Sequence, residues 1–134
     1  SSGELVSHPL LHMSAQAIEK VVHEFYALAR RDILIGYHFS RIQDFDAHLP
    51  RIVKFWEGQL LGVAHQFSPP LDVLNAHVPL HIHRGEVGRW VRLFEQTLEH
   101  HLSDRALKER WLKKIYHFEK IFLVSSQLFP KRPE

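Results

Sequence analysis

The chain has no cysteine among its 134 residues. Disulfides, thiolate zinc sites, iron–sulfur clusters and cysteine nucleophiles are therefore excluded. No apolar run approaches the ~20 residues a membrane-spanning helix needs, so no membrane partner is expected. Charge of one sign is also missing. The 17 Lys and Arg are balanced by 15 Asp and Glu, for a net charge of +2. The basic residues are scattered, and no nucleic-acid partner is expected. The pI of about 9.0 reflects only that small excess. Internal repeats, low-complexity tracts and sustained two-residue apolar alternation are all absent, which argues against strands. The opening stretch SSGELVSHPLLHM lacks a basic start and a clean apolar core, so it does not read as a secretory signal. A cytoplasmic location is the expectation.

Hydrophobic residues at 45% and charged residues at 24% are ordinary for one globular domain. The apolar residues recur at helical spacing. Ser14 is a candidate N-cap for a first helix, with Ile18, Val21, Val22, Phe25 and Leu28 on one stripe. A tight connection, ILIGYHFSRI, follows, with room for one short helical turn. Asp44 or Asp46 caps a second helix ending near Leu61, with Ile52, Phe55, Trp56, Leu60 and Leu61 on its apolar face. Pro50 favours a start near Asp46, because proline is tolerated in a first turn.

Residues 62–85 read as a long irregular stretch with a short helix at most near 71–76. A third helix spans 86–101, with Val87, Trp90, Val91, Phe94 and Leu98 aligned. A last helix, capped by Ser103 or Asp104, runs to about residue 129. Its stripe holds Leu107, Trp111, Ile115, Phe118, Phe122 and Val124. The expectation is an all-α domain over 14–129, with a flexible segment at 1–13 and a tail at 130–134. Nothing in the sequence signals an oligomer, so a monomer is expected. A loop as long as the middle one needs a ligand or site to wrap.

Twelve histidines stand out, since histidine is the commonest metal ligand. Taken alone, His77 reads as a partly buried histidine satisfied by a backbone carbonyl. Tyr26, His48 and Trp90 also have ordinary structural readings, as core or surface residues. A non-haem, histidine-rich metal module is the alternative function. It draws on His77 with His81, His8 with His12, and the His100-His101 pair. Against it, Pro79 interrupts the first pair, and inward carboxylates at helical spacing to histidine are absent.

The order of these residues carries more than any one of them. The runs EFYALARRD, GYHFS, DAHLPRIVKFWEGQLLG, NAHVPLHI and GEVGRWVRLFEQTL follow one another along the chain. Together they resemble the group III truncated haemoglobins over roughly residues 18 to 125. The most specific pieces are His48-Leu49-Pro50 with Phe55-Trp56 and Leu60-Leu61-Gly62, then His77 followed thirteen residues later by Trp90 and Leu93-Phe94.

The resemblance implies a shortened globin fold, two helices over two, around haem b. It makes His77 the proximal iron ligand and Tyr26, His48 and Trp90 the distal polar cluster. Phe39 is the aromatic on the porphyrin, Ile52 and Phe55 line the wall, and Arg51 pairs with a propionate. The implied activity is reversible binding of oxygen or another diatomic ligand. Nitric-oxide and peroxide chemistry, and a partner reductase, stay open. His81 and His83 are nearby alternatives for the iron that break the spacing to Trp90, and His48 is an alternative sixth ligand.

The chain departs from the pattern in a longer loop before His77, with Phe67 and Ser68-Pro69-Pro70, and in Val87 for a more usual phenylalanine. The chemistry suits the roles. A neutral imidazole ligates haem iron well once an acceptor fixes its other nitrogen. Hydroxyl, indole and imidazole N–H groups are donors for a ligand that gathers negative charge. Each such hydrogen bond contributes roughly 1.5–3 kcal/mol.

Overall fold

A computed structural model describes residues 2–62 and 82–125, and every described element is helical. Helix α1 spans Ser2–Ala29, the one-turn α2 Gly36–Phe39, α3 Phe45–Leu61, α4 Arg84–His101 and α5 Arg105–Val124. Helix α1 continues through Ser14, the expected cap, because nothing at that position breaks the backbone ladder. Among the described residues no helix is long and apolar enough to cross a membrane. The expected short helix near 71–76, and the last helix beyond 125, lie outside the described residues.

The ends of these helices follow local chemistry. Asp104 caps α5, its side chain accepting from the Leu107 N–H at 3.1 Å. Asp44 stands at the N-cap of α3 but in the left-handed region (φ 50°), and its side chain makes no cap hydrogen bond. Aspartate tolerates that conformation better than most residues. Pro50 lies one turn further into α3 than expected and removes the ladder bond to the Asp46 carbonyl. Gly62 closes α3 at φ 68°, where a side chain would be strained. Gly36 opens α2 against the end of α1: a Cβ there would lie 2.7 Å from the Arg30 carbonyl oxygen.

The four long helices form a ring. Helix α1 packs on α3 and α4, and α5 packs on the same two. Each contributes the stripe its spacing predicts. Ile18, Val21, Val22, Phe25 and Ala29 of α1 are fully buried. Val53, Trp56 and Leu60 face them from α3, Val91, Phe94 and Leu98 from α4, and Leu107, Trp111 and Ile115 from α5. One aromatic from each helix meets at the centre. Phe25 stacks on Phe94 at 4.3 Å between centroids, Phe94 meets Trp111 at 5.6 Å, and Trp111 meets Trp56 at 5.4 Å. Val124 is a correction to the expected α5 stripe: it is 75% exposed, because it sits two residues past Phe122 and faces away from the core.

Candidate functional site

The site lies where α1, α2 and α4 approach the end of α5. Tyr26 is one helical position beyond core residue Phe25 and so turns off the central stripe. Its ring packs against Phe39 of α2 at 5.6 Å and against Phe45 at 5.4 Å. Trp90 lies one turn before Phe94 on α4 and meets it at 5.6 Å. Tyr26, Phe39 and Trp90 line one cavity, together with Ile35, His38, Glu86, Val87, Ile82 and Phe122. The volume is about 80 Å³, enough for a molecule of a few heavy atoms.

The other residues named from sequence are distributed differently. His48 and Arg51 are exposed on α3. Ile52 and Phe55 are partly buried against the core, with Phe55 5.2 Å from Trp56 and 5.8 Å from Phe118. His83 is exposed just before α4. His77 and His81 lie outside the described residues. Among the described residues no group of three or more His, Asp or Glu is placed to hold a metal ion.

Electrostatics distinguish the cavity from the rest of the core. Burial pushes the Tyr26 hydroxyl up to about 12, and no hydrogen bond opposes that shift. The group is therefore a donor at any physiological pH. Beside it lies a pair that reading the sequence missed. His38 Nε2 donates to Glu86 Oε1 at 3.0 Å, and the side chains are 7% and 12% exposed. The Tyr37 hydroxyl donates to the other Glu86 oxygen, and the His83 backbone N–H donates to Oε1 at 2.6 Å. Desolvation raises the Glu86 carboxyl, but those three hydrogen bonds outweigh it and hold the group below its usual range. The only local trace of this in the sequence is Glu86 in the first turn of α4, where a carboxylate is favoured. Its partner is 48 residues away, beyond the reach of helical periodicity.

A second buried carboxylate positions the site from outside. Asp32, in the turn after α1, accepts from the Leu34 and Ile35 N–H groups at 3.0 and 3.1 Å. It also takes the Arg89 guanidinium at 2.6 and 3.1 Å. The contact ties the α1–α2 turn to α4, and with it the two walls that carry Phe39 and Trp90.

The tyrosines give a direct check on the cavity. All three are raised: Tyr26 by burial, Tyr37 chiefly by its hydrogen bond to Glu86, and Tyr116 chiefly by its bond to Glu95. Spectrophotometric titration of the native chain should show no tyrosine at the ordinary value of about 10, and Tyr26→Phe should remove the step near 12. An unfolded Tyr26 ionises near 10 while the native one stays neutral. Its stabilising contribution is thus complete below about 10 and is lost as pH rises to about 12. A step at 10 that disappears in Tyr26→Phe would place this hydroxyl in water.

Comparison of the chain with protein-family models, curated proteins and solved structures produced no match.

Proposed function

We propose that this chain is a haem-binding globin of the truncated type, two helices over two, that reversibly binds oxygen or a related diatomic ligand. One observation carries the reading. Tyr26, Phe39 and Trp90 come from three different helices, were named for one pocket on sequence order alone, and line a single cavity. The ring in which α1 and α5 each pack on both α3 and α4 is the four-helix arrangement such a fold needs.

The donor set suits the role. The buried Tyr26 hydroxyl and the Trp90 indole N–H are hydrogen-bond donors on a wall otherwise mostly aliphatic and aromatic. The volume beside them suits a diatomic ligand rather than a whole porphyrin. The porphyrin would be held by His77 on iron, Phe39, Ile52 and Phe55 at the ring, and Arg51 at a propionate. His48 would join Tyr26 and Trp90 as the third donor. Haem supplies, when bound, a ferrous iron that takes diatomic ligands. The chain's own residues exclude bulk water, orient the ligand and slow its escape. Two hydrogen bonds of about 1.5 kcal/mol or more each slow dissociation by orders of magnitude, which suits holding a ligand better than rapid delivery.

The test is an absorption spectrum of the full chain expressed with ample iron or reconstituted with haemin. A Soret band is expected, and His77→Ala should lose haem rapidly to a competing apoprotein. Tyr26→Phe should speed oxygen release. A chain with no Soret band after reconstitution refutes the haem reading. Normal haem retention in His77→Ala would move the ligand to another histidine.

A further inference from the structure

The cavity contains one group that the distal reading leaves unused. His38 is 5% exposed and lines the cavity. Its Nε2 is taken by Glu86, while its Nδ1 is buried with no hydrogen-bond partner among the described residues. Buried polar atoms are nearly always paired, so a lone ring nitrogen in a cavity wall points to something the cavity holds.

Glu86 determines what that nitrogen is. The carboxyl is ionised, because hydrogen bonds from Tyr37, His38 and the His83 N–H outweigh its desolvation. An ionised carboxylate only accepts hydrogen bonds. Nε2 therefore carries the ring proton, and in the neutral ring Nδ1 is a bare lone pair. The same cavity is lined by two groups of the opposite kind, the Tyr26 hydroxyl and the Trp90 N–H. The titratable groups around His38 are Glu86 from α4, Tyr37 within α2, 4.1 Å away ring to ring, and Tyr26 from α1. Phe122 from α5 is apolar.

We propose that His38 is the base of this cavity and takes the proton of a small weak acid, such as hydrazoic acid, hydrogen cyanide or hydrogen sulfide, whose anion Tyr26 and Trp90 then hold. The apolar wall admits the neutral acid more readily than its anion. Inside, the bond from hydrogen to the acid breaks and its electron pair stays on the anion. The proton forms a new bond to Nδ1. His38 becomes an imidazolium whose other N–H stays on Glu86, and the anion accepts from the hydroxyl and the indole. Nothing is oxidised or reduced, and the net charge of the cavity is unchanged. A volume of about 80 Å³ limits the acid to a few heavy atoms.

This inference uses described residues only and does not require haem. A missing Soret band would remove the haem reading and leave the following test intact. The probe is azide, added to the full chain as purified. Calorimetry in two buffers of different ionisation enthalpy counts the protons taken up. Above the range where hydrazoic acid and a free imidazole (~6.5) lose their protons, binding should take up close to one proton per azide. Affinity should then fall about tenfold per pH unit, the mass-action slope for one linked proton.

His38→Gln keeps an N–H for Glu86 but has no basic nitrogen. It should bind azide at least ~10-fold more weakly, a loss of about 1.4 kcal/mol, and without proton uptake. If His38→Gln does not fold, nitrogen NMR of the wild-type imidazole decides the matter. The Nδ1 signal should move from the bare to the protonated position as azide is added. Absent azide binding, absent proton uptake, unchanged uptake in a folded His38→Gln chain, or an unmoved Nδ1 signal would each overturn the proposal. Azide held on a metal alone takes up no proton and is indifferent to His38→Gln, so it falls among those overturning results.

Discussion

Trp111→Ala should cost about 3–5 kcal/mol, the range for removing a large aromatic from a core. Trp111 is fully buried and touches the central aromatics of two other helices, Trp56 at 5.4 Å and Phe94 at 5.6 Å. Those rings are held in turn by Phe25 and by each other, so the vacated space has little chance to collapse. Domains of this size are stable by only about 5–15 kcal/mol, and the variant should unfold at a markedly lower denaturant midpoint.

Trp111→Phe separates two causes. The indole Nε1 is buried without a partner among the described residues, and an unpaired buried donor costs about 1–3 kcal/mol. Phenylalanine removes that donor while keeping most of the ring. Its net cost should be less than half that of alanine. Equal losses in the two variants, measured by chemical denaturation, would show that Nε1 has a partner and that its hydrogen bond dominates.

The second large effect belongs to Asp32→Ala, expected to cost about 3–4 kcal/mol from the loss of a buried charge pair and two backbone caps. The side chain of Asp32 is 6% exposed, whereas that of Arg89 is 36% exposed. The two halves of the pair are therefore unequal. Without Asp32, the Leu34 and Ile35 N–H groups lose their acceptor, and Ile35 is buried. Without Arg89, the aspartate keeps both backbone donors. Arg89→Ala should cost clearly less than Asp32→Ala, and the reverse order in thermal or urea unfolding would overturn this account.

The pH dependence has a definite sign. The Arg89 hydrogen bond, with the two backbone donors, holds the native Asp32 carboxyl below its usual value against the pull of desolvation. Its stabilising contribution is complete above the unfolded value of about 3.9 and is lost as pH falls through the lower native one. Asp32→Asn should flatten that part of the acid-unfolding curve.

How much of this was legible in the residues depends on the range of each interaction. Helical stripes are local, so the spacing of Ile18, Val21, Val22 and Phe25, or of Leu107, Trp111 and Ile115, was enough to assign helices and their buried faces. The Asp104 cap acts over three residues and was equally readable. Tyr26 and Trp90 were readable for another reason: each sits just off a core stripe, and the ordered resemblance named them together. The start of α1 was misjudged because Ser14 is as compatible with a helix interior as with a cap, and only the surrounding structure chooses.

By itself, then, the sequence determined an all-helical domain, the residues of its core and the aromatic wall of one cavity. The tertiary structure alone decided how charge enters that cavity. His38 meets Glu86 across 48 residues and Asp32 meets Arg89 across 57. Neither distance is a multiple that any local periodicity can report. Both contacts exist because α1 and α4 pack side by side. That crossing brings the α1–α2 turn and α2 against the first turns of α4, and it turns an ordinary first-turn glutamate into the partner of a buried histidine.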